Sequence, residues 1–190
     1  MQKRGFFIAA LSVIFLFGLS SSMVLAEISP KIKAISEELK EWGKKPELVN
    51  AVKKQNAKGM SLNSIKEMDK KWQSTPGVSG SMKEYLENDT AQYLKRLEKS
   101  KPYFTEIFLM DNQGAVVAET NKTSDFWQGD EAKFQVPFNN GNGGKVEISK
   151  EKFDESAQAY LVQISVPVVD PDTSKAIGAI TVGVNVDKLK

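Results

Sequence analysis

The spacing of apolar residues changes near Ser100, and this change constrains the fold more than any other feature. Before Ser100, apolar residues recur every three or four positions, as at Ile32, Ile35 and Leu39, which is the period of amphipathic helices. After Ser100 they mostly alternate, which is the period of half-buried strands. Helices followed by antiparallel strands predict one α+β domain, with a helical part at residues 27–100 and a sheet part at residues 101–190.

Four amphipathic helices are predicted in the helical part, beginning near Ser29, Pro46, Ser61 and Ser81. Ser and Pro are favoured at the first positions of helices, and the glycines at 43 and 59 are natural stops. The fourth helix is predicted to be continuous from a capping box of Ser81 and Glu84 to Leu97.

Five strands are predicted in the sheet part, at residues 104–110, 115–120, 145–149, 160–170 and 177–187. The last two have one fully apolar face, which suits packing against helices, and a second face that carries Gln163, Ser165 and Thr181. This second face is either solvated or forms the floor of a polar pocket. The irregular crossover at residues 121–140 favours a pocket, because loops of more than about 12 residues without regular structure are often functional.

An export signal is predicted at residues 1–26. Lys3 and Arg4 precede an uncharged run, and Val24 and Ala26 satisfy the small-residue rule for cleavage before Glu27. An uncleaved membrane anchor is the alternative, because the uncharged run at residues 5–26 is long enough to span a bilayer. Cleavage leaves 24 basic and 24 acidic residues and therefore a net charge of zero.

The residue inventory excludes most catalytic and metal chemistry. The chain has no Cys and no His, which excludes Ser-His-Asp and Cys-His nucleophiles, thiol redox chemistry and zinc sites built from these residues. The formal charge is only +2, and the basic residues form no stripe in the sequence. Both features argue against nucleic-acid binding. We therefore interpret the protein as a non-enzymatic module without a cofactor or a metal. A hydrolase that uses carboxylates is the weakest alternative, because adjacent residues such as Asp130 and Glu131 rarely face one substrate together.

Three segments together resemble the Cache family of extracytoplasmic sensors, also called PDC or PAS-like sensor domains. They are the hairpin FLMDNQGAVVAET at residues 108–120, the crossover DFWQGDEAKF at 125–134, and the terminal strand pair at 160–189. Six residues match the family's pattern in that strand pair: Ile164, Ser165, Pro167, Val168, Asp170 and Gly178. The resemblance implies a five-stranded antiparallel PAS-like sheet with helices on one face and a small ligand on the other.

The resemblance also implies a function. It indicates an exported sensor or solute-binding protein of the bacterial cell envelope, periplasmic or secreted, that binds a small metabolite. Most relatives continue into a membrane helix and signalling domains, whereas this sequence ends directly after the last strand. We therefore expect it to relay its ligand state to a separate membrane sensor kinase, cyclase or chemoreceptor. The alternative is an envelope interaction protein that binds no ligand and docks through its helical half.

Seven residues are predicted to contact the ligand: Asp125, Trp127, Lys133, Gln163, Ser165, Asp170 and Thr181. Relatives that bind amino acids have an Arg two positions before the Trp of the crossover, and this chain has Asp125 there. A carboxylate at that position repels the carboxylate of an α-amino acid, so an amine, a polyol or a neutral amide is at least as compatible. Lys133 can replace the missing Arg only as a point charge.

These assignments each have a structural alternative. The aromatic ring of Trp127 can equally pack as an ordinary core residue beneath the crossover. The polar residues on the second face of the last two strands can belong to a solvated sheet surface. Asp170 can cap the turn between these strands instead of meeting a ligand.

Overall fold

The computed structural model of the protein describes residues 29–154 and 157–189. The predicted export signal at residues 1–26 lies outside these residues. Across the described ranges, no helix combines the length and the apolar character that crossing a bilayer requires.

The described part of the chain forms six helices and six strands, with five helices before the first strand. The helices are α1 (Pro30–Trp42), α2 (Pro46–Asn56), α3 (Leu62–Ser74), α4 (Gly80–Glu87), α5 (Asp89–Glu98) and α6 (Ala132–Phe138). The strands are β1 (Phe104–Met110), β2 (Val116–Glu119), β3 (Glu147–Ile148), β4 (Lys152–Asp154), β5 (Ala159–Val169) and β6 (Ala176–Asn185). The predicted α+β fold class is therefore confirmed.

The strands form one antiparallel sheet in the order β2-β1-β6-β5-β3. The five predicted strands are all present. A sixth strand, β4, was not predicted, and it pairs with the beginning of β5. Because β3 pairs further along the same strand, β3 and β4 lie one after the other along the outer edge of β5. With lengths of only two and three residues, β3 and β4 are too short to show a recognisable alternation of apolar residues.

The apolar face of the sheet carries the main core, as the alternation predicted. Val162, Ile164 and Val166 of β5 and Ile180 and Val182 of β6 are buried in it. They pack with the apolar stripes of α1, α2 and α5. The helical part of the sequence therefore packs against one face of a sheet whose strands come later in the chain.

The predicted fourth helix is two helices, α4 and α5, separated at Asn88. The Asn88 backbone is extended, and its Oδ1 accepts a hydrogen bond from the backbone N–H of Ala91 at 2.7 Å. Its Nδ2 donates to the backbone carbonyls of Glu84 and Val117. The helix α4 also begins at Gly80, after Ser79, so the predicted capping box of Ser81 and Glu84 is wrong. An Asn that caps one helix and binds a neighbouring strand ends the preceding helix, although the apolar spacing continues through it.

The second face of the sheet is partly covered by α6, which occupies the end of the crossover. Phe134 of α6 packs there with Phe108, Met110 and Ala179. Because α6 is only seven residues long and contains Pro137, its helical period is too short to recognise in the sequence. The crossover is therefore only partly irregular, and it divides the second face into a covered region and an open one.

Candidate ligand-binding cleft

The open region of the second face forms a cleft between the N-terminal end of α6, the β3–β4 edge and β5. Its volume is about 420 Å³, which lies within the usual range for small-molecule sites. We call it the α6 cleft. Its lining combines the apolar surfaces of Ala132, Phe153 and Leu161 with a set of polar side chains, namely Glu131, Lys133, Glu147, Ser149, Lys150, Lys152, Asp154 and Gln163.

Two of the predicted site residues, Lys133 and Gln163, meet in the α6 cleft. Lys133 lies in the first turn of α6, where its Nζ is 3.0 Å from a carboxylate oxygen of Glu131 and 5.6 Å from the ring centroid of Phe108. Only 19% of its side chain is exposed. The cation is thus held against the second face of the sheet, as the crossover position suggested.

Gln163 belongs to a polar bridge that crosses three strands. Its Nε2 donates a 2.8 Å hydrogen bond to Oε1 of Glu106 on β1. The strand between them, β6, has Gly183 opposite both residues. A β-carbon at Gly183 would lie 2.5 Å from Cγ of Glu106, so only glycine leaves room for the glutamate to reach across. Burial raises the pKa of Glu106, and the hydrogen bond from Gln163 opposes this effect.

Glu147 provides an incompletely bonded carboxylate on the opposite wall of the cleft. Its Oε2 is buried and has no hydrogen-bond partner among the residues that the structure describes. Burial raises the pKa of Glu147, and the positive charge of Lys133 opposes the rise. An anion in such surroundings is stabilised when a donor or a cation reaches it.

Ser165 and Thr181 lie on the second face but outside the cleft. Both are completely buried, and their hydroxyl groups form a 2.8 Å hydrogen bond between β5 and β6. The pair is therefore neither solvated nor available to a molecule in the α6 cleft. It satisfies its own polar groups within the packed part of the face.

Trp127 and Asp125 line a different cleft, of about 350 Å³, between α3 and the beginning of the crossover. The indole Nε1 of Trp127 donates to the backbone carbonyl of Gln113 at 2.8 Å. Its backbone N–H donates to Asp69 on α3, and the ammonium of Lys66 lies 4.4 Å from its ring centroid. Trp127 therefore joins the crossover to the β1–β2 turn and to α3.

Asp170 lies at the β5–β6 turn, on the α2 side of the molecule. Its Oδ1 is 2.6 Å from Nζ of Lys53 and accepts the backbone N–H of Asp172. Its Oδ2 accepts the hydroxyl of Thr173 at 3.2 Å. The hydrogen bond from Lys53 is the largest cause of the lowered pKa of Asp170. Asp170 thus caps the turn and meets a cation that belongs to the protein itself.

A larger cleft, of about 760 Å³, lies between α1 and β3 on the helical side. Its charged side chains are exposed, and four of them already form ion pairs, Lys40 with Glu37 and Lys44 with Glu41, each at 2.7 Å. We favour the α6 cleft because most of its polar side chains are partly buried and because Oε2 of Glu147 has no hydrogen-bond partner among the described residues. Among the described residues, no three carboxylates are arranged to hold a metal ion.

Two acidic residues at the cleft, Glu106 and Glu147, were not predicted from the sequence. Glu106 could have been found, because it alternates with Phe108 and Met110 along β1 and so belongs to the second face. Glu147 lies in a strand of only two residues, where alternation cannot assign a face.

Comparisons with known proteins found no similarity at the level of sequence families. No known protein-family pattern matches this sequence. No curated protein matches it either.

Several solved structures are similar in fold. The ligand-binding domain of the Campylobacter jejuni chemoreceptor Tlp3, in complex with 4-methylisoleucine, has 16% identity and a TM-score of 0.42, over 85% of this chain and 65% of that one. The extracellular domain of rpHK1S-Z16, named as a histidine kinase, has 12% identity and a TM-score of 0.42, over 83% and 57%. The sensor domain of E. coli DcuS has 14% identity and a TM-score of 0.39, over 67% and 90%.

The likeness concerns the fold alone. The chain spans less than two thirds of the Tlp3 and rpHK1S-Z16 domains. The similar structures are named as ligand-binding, extracellular or sensor domains of a chemoreceptor, a histidine kinase and DcuS.

Proposed function

We propose that this protein is an exported sensor module that binds a small molecule in the α6 cleft. The observation that carries the proposal is the cleft itself, which has an apolar wall, a polar bridge at Gln163 and a carboxylate at Glu147, one oxygen of which has no hydrogen-bond partner among the described residues. Ligand sites commonly combine apolar walls with a few fixed polar groups. The proposed role is binding without catalysis, since the chain has no Cys and no His to act as nucleophile or general base.

We propose that the protein signals through a change in the arrangement of the crossover relative to the β3–β4 edge of the sheet. The cleft is lined both by the N-terminal end of α6 and by the short strands β3 and β4, so a bound molecule contacts both. Binding that favours one arrangement of these segments shifts its population. A membrane sensor kinase, cyclase or chemoreceptor that recognises this arrangement would read the ligand state.

A thermal-shift screen of metabolites tests the binding function. A ligand that binds only the native state raises the melting temperature. Gln163→Ala should abolish the shift, because it removes the bridge to Glu106, whereas Gln92→Ala at an exposed position of α5 should retain it. Absence of any shift at millimolar ligand would favour the interaction-protein alternative.

Intact-mass measurement of the protein from the cell envelope tests export. The proposed domain is residues 27–190, so the expected species begins at Glu27. A membrane-bound species that retains residues 1–26 would show that the segment is an anchor.

A further inference from the structure

We infer that Glu119 and Thr123 form a pH-sensitive latch that holds the beginning of the crossover to β2. Glu119 is the last residue of β2 and pairs in register with Phe108 of β1. Cross-strand partners project to the same side of a sheet, so Glu119 lies with Phe108 on the second face. The latch does not require a ligand in the α6 cleft, and it therefore goes beyond the proposed function.

The hydroxyl of Thr123 lies between two oxygen atoms that both act as acceptors. It is 2.8 Å from Oε2 of Glu119 and 2.8 Å from the backbone carbonyl oxygen of Asp125. A hydroxyl group has one proton, so it can donate fully to only one of them. Both short contacts are hydrogen bonds only when Glu119 is protonated and donates to the Thr123 hydroxyl, which then donates to Asp125.

Burial of Glu119 favours this protonated arrangement. The side chain is completely buried, and its Oε1 has no hydrogen-bond partner within the described ranges. A buried carboxylate with an unpartnered oxygen is costly, whereas a neutral acid in the same place buries no charge. The acid that closes the latch is therefore the form that the surroundings of Glu119 stabilise.

Charged groups on the neighbouring elements also bear on the latch. The carboxylate of Glu106 on β1 opposes ionisation of Glu119, and the ammonium of Lys122 in the crossover favours it. This ammonium also donates to the backbone carbonyl of Thr75 at the end of α3, at 2.7 Å. On α3, Asp69 accepts two backbone N–H groups from a later part of the crossover. Of these charged groups, Glu119 is the one that is hydrogen-bonded to Thr123.

Ionisation of Glu119 opens the latch. The charged carboxylate has no proton to donate, so the Thr123 hydroxyl turns towards it and leaves the carbonyl of Asp125. The charge also lies on a buried oxygen without a donor, and this cost is relieved when water reaches it. We expect the segment at residues 121–125 to move away from β2 as the pH rises.

The latch is connected to the N-terminal end of α6. The carbonyl of Asp125 also accepts a hydrogen bond from Nε2 of the buried Gln128, at 2.7 Å. The backbone carbonyl of Gln128 in turn accepts the N–H of Glu131, the N-cap residue of α6, at 3.0 Å. Because Glu131 lines the α6 cleft, one chain of hydrogen bonds runs from β2 to that cleft.

The indole group of Trp72 reports on the latch. Its Nε1–H donates to the backbone carbonyl of Thr123 at 2.8 Å, so its NMR resonance depends on the position of Thr123. In nitrogen–proton correlation spectra of the purified protein, we expect this resonance to titrate with a midpoint near the pKa of Glu119, about 7. The indole resonance of Trp42, which packs against Phe104 in the main core, should stay constant.

Matched variants assign the titration to the latch. Glu119→Gln keeps a donor in the same place but cannot ionise, so the Trp72 resonance should stay at its low-pH position throughout. Thr123→Val removes the hydroxyl and should place the resonance near its high-pH position even in acid. Thr123→Ser keeps the hydroxyl and should retain the titration. Thr90→Val on α5 makes the Thr→Val change away from the latch and should titrate like the wild type.

Three results would overturn the latch. They are a Trp72 resonance that does not change between about pH 5.5 and 8.5, a titration that persists in Glu119→Gln, and a Thr123→Val protein that titrates like the wild type. If Thr123→Val does not fold, the wild type and Glu119→Gln still decide the outcome. No ligand is present in these measurements, so their failure leaves the proposed binding function to its own test.

Discussion

Glu119 provides the sharpest test of the electrostatics of this fold. The side chain lies on β2 and is completely buried. Its Oε2 accepts hydrogen bonds from the hydroxyl and the backbone N–H of Thr123, at 2.8 and 3.3 Å. Its Oε1 has no partner in the described part of the chain. Burial, with a smaller contribution from the charge of Glu106, raises the pKa of Glu119 to about 7.

The raised pKa makes stability depend on pH in a defined direction. The ordinary pKa of this group is 4.5, so between pH 4.5 and about 7 the folded protein holds a proton that the unfolded chain has lost. The stabilisation by that proton is complete below pH 4.5 and is lost as the pH rises through 7. Since one pKa unit corresponds to about 1.4 kcal/mol, the loss amounts to about 3 kcal/mol.

Glu119→Gln removes this dependence because the amide stays neutral and resembles the protonated acid in shape. We expect the variant and the wild type to have similar free energies of unfolding at pH 4. At pH 8 the variant should be more stable by about 3 kcal/mol. Urea unfolding at both pH values measures the difference, and the titration of other acids cancels in the comparison.

The control is Glu41→Gln on α1, where 70% of the side chain is exposed. It should change the free energy of unfolding by less than about 0.5 kcal/mol at either pH. Two results would refute the argument that burial keeps this acid neutral. One is a Glu119→Gln protein that is less stable than the wild type at pH 8. The other is a difference in the free energy of unfolding between variant and wild type that is the same at both pH values.

Three further substitutions test the packing. Asn88→Ala should lower the free energy of unfolding by about 1–2 kcal/mol in urea titrations, because it uncaps α5; no change would contradict the assigned cap. Gly183→Ala should cost about 1–3 kcal/mol by forcing Glu106 aside, whereas Gly80→Ala, with open space around it, should not. Ser165→Ala and Thr181→Val should each cost about 1–3 kcal/mol, and the double variant less than their sum. Strict additivity would show that the two hydroxyls do not interact.

Local sequence signals predicted the elements that form through local chemistry. Pro30 and Gly43 marked the two ends of α1, and Ser61 marked the start of α3, where its hydroxyl accepts the backbone N–H of Ser64. Alternation along β5 and β6 assigned their apolar faces correctly. These predictions succeed because caps, turn residues and side-chain periodicity act within a few residues of the chain.

The candidate site was only partly predictable. Lys133 and Gln163 do reach the same cleft, but Trp127 lies in another one and Asp170 faces α2. The composition of the crossover indicated polar and aromatic groups, but it did not indicate on which side of α6 each of them lies. That choice depends on where α3 packs, because its Asp69 accepts the backbone N–H of Trp127.

The sequence by itself therefore determined the succession of helices and strands, the apolar face of the sheet and the absence of thiol and imidazole chemistry. Only the tertiary structure decided that Ser165 and Thr181 are buried and bonded to each other, that Gly183 lets Glu106 bond with Gln163, and that Glu147 lines a cleft. The physical reason is the distance along the chain over which each property is determined. Backbone preference and side-chain period are properties of neighbouring residues, whereas burial, pairing and pKa depend on groups that folding brings together from distant parts of the chain.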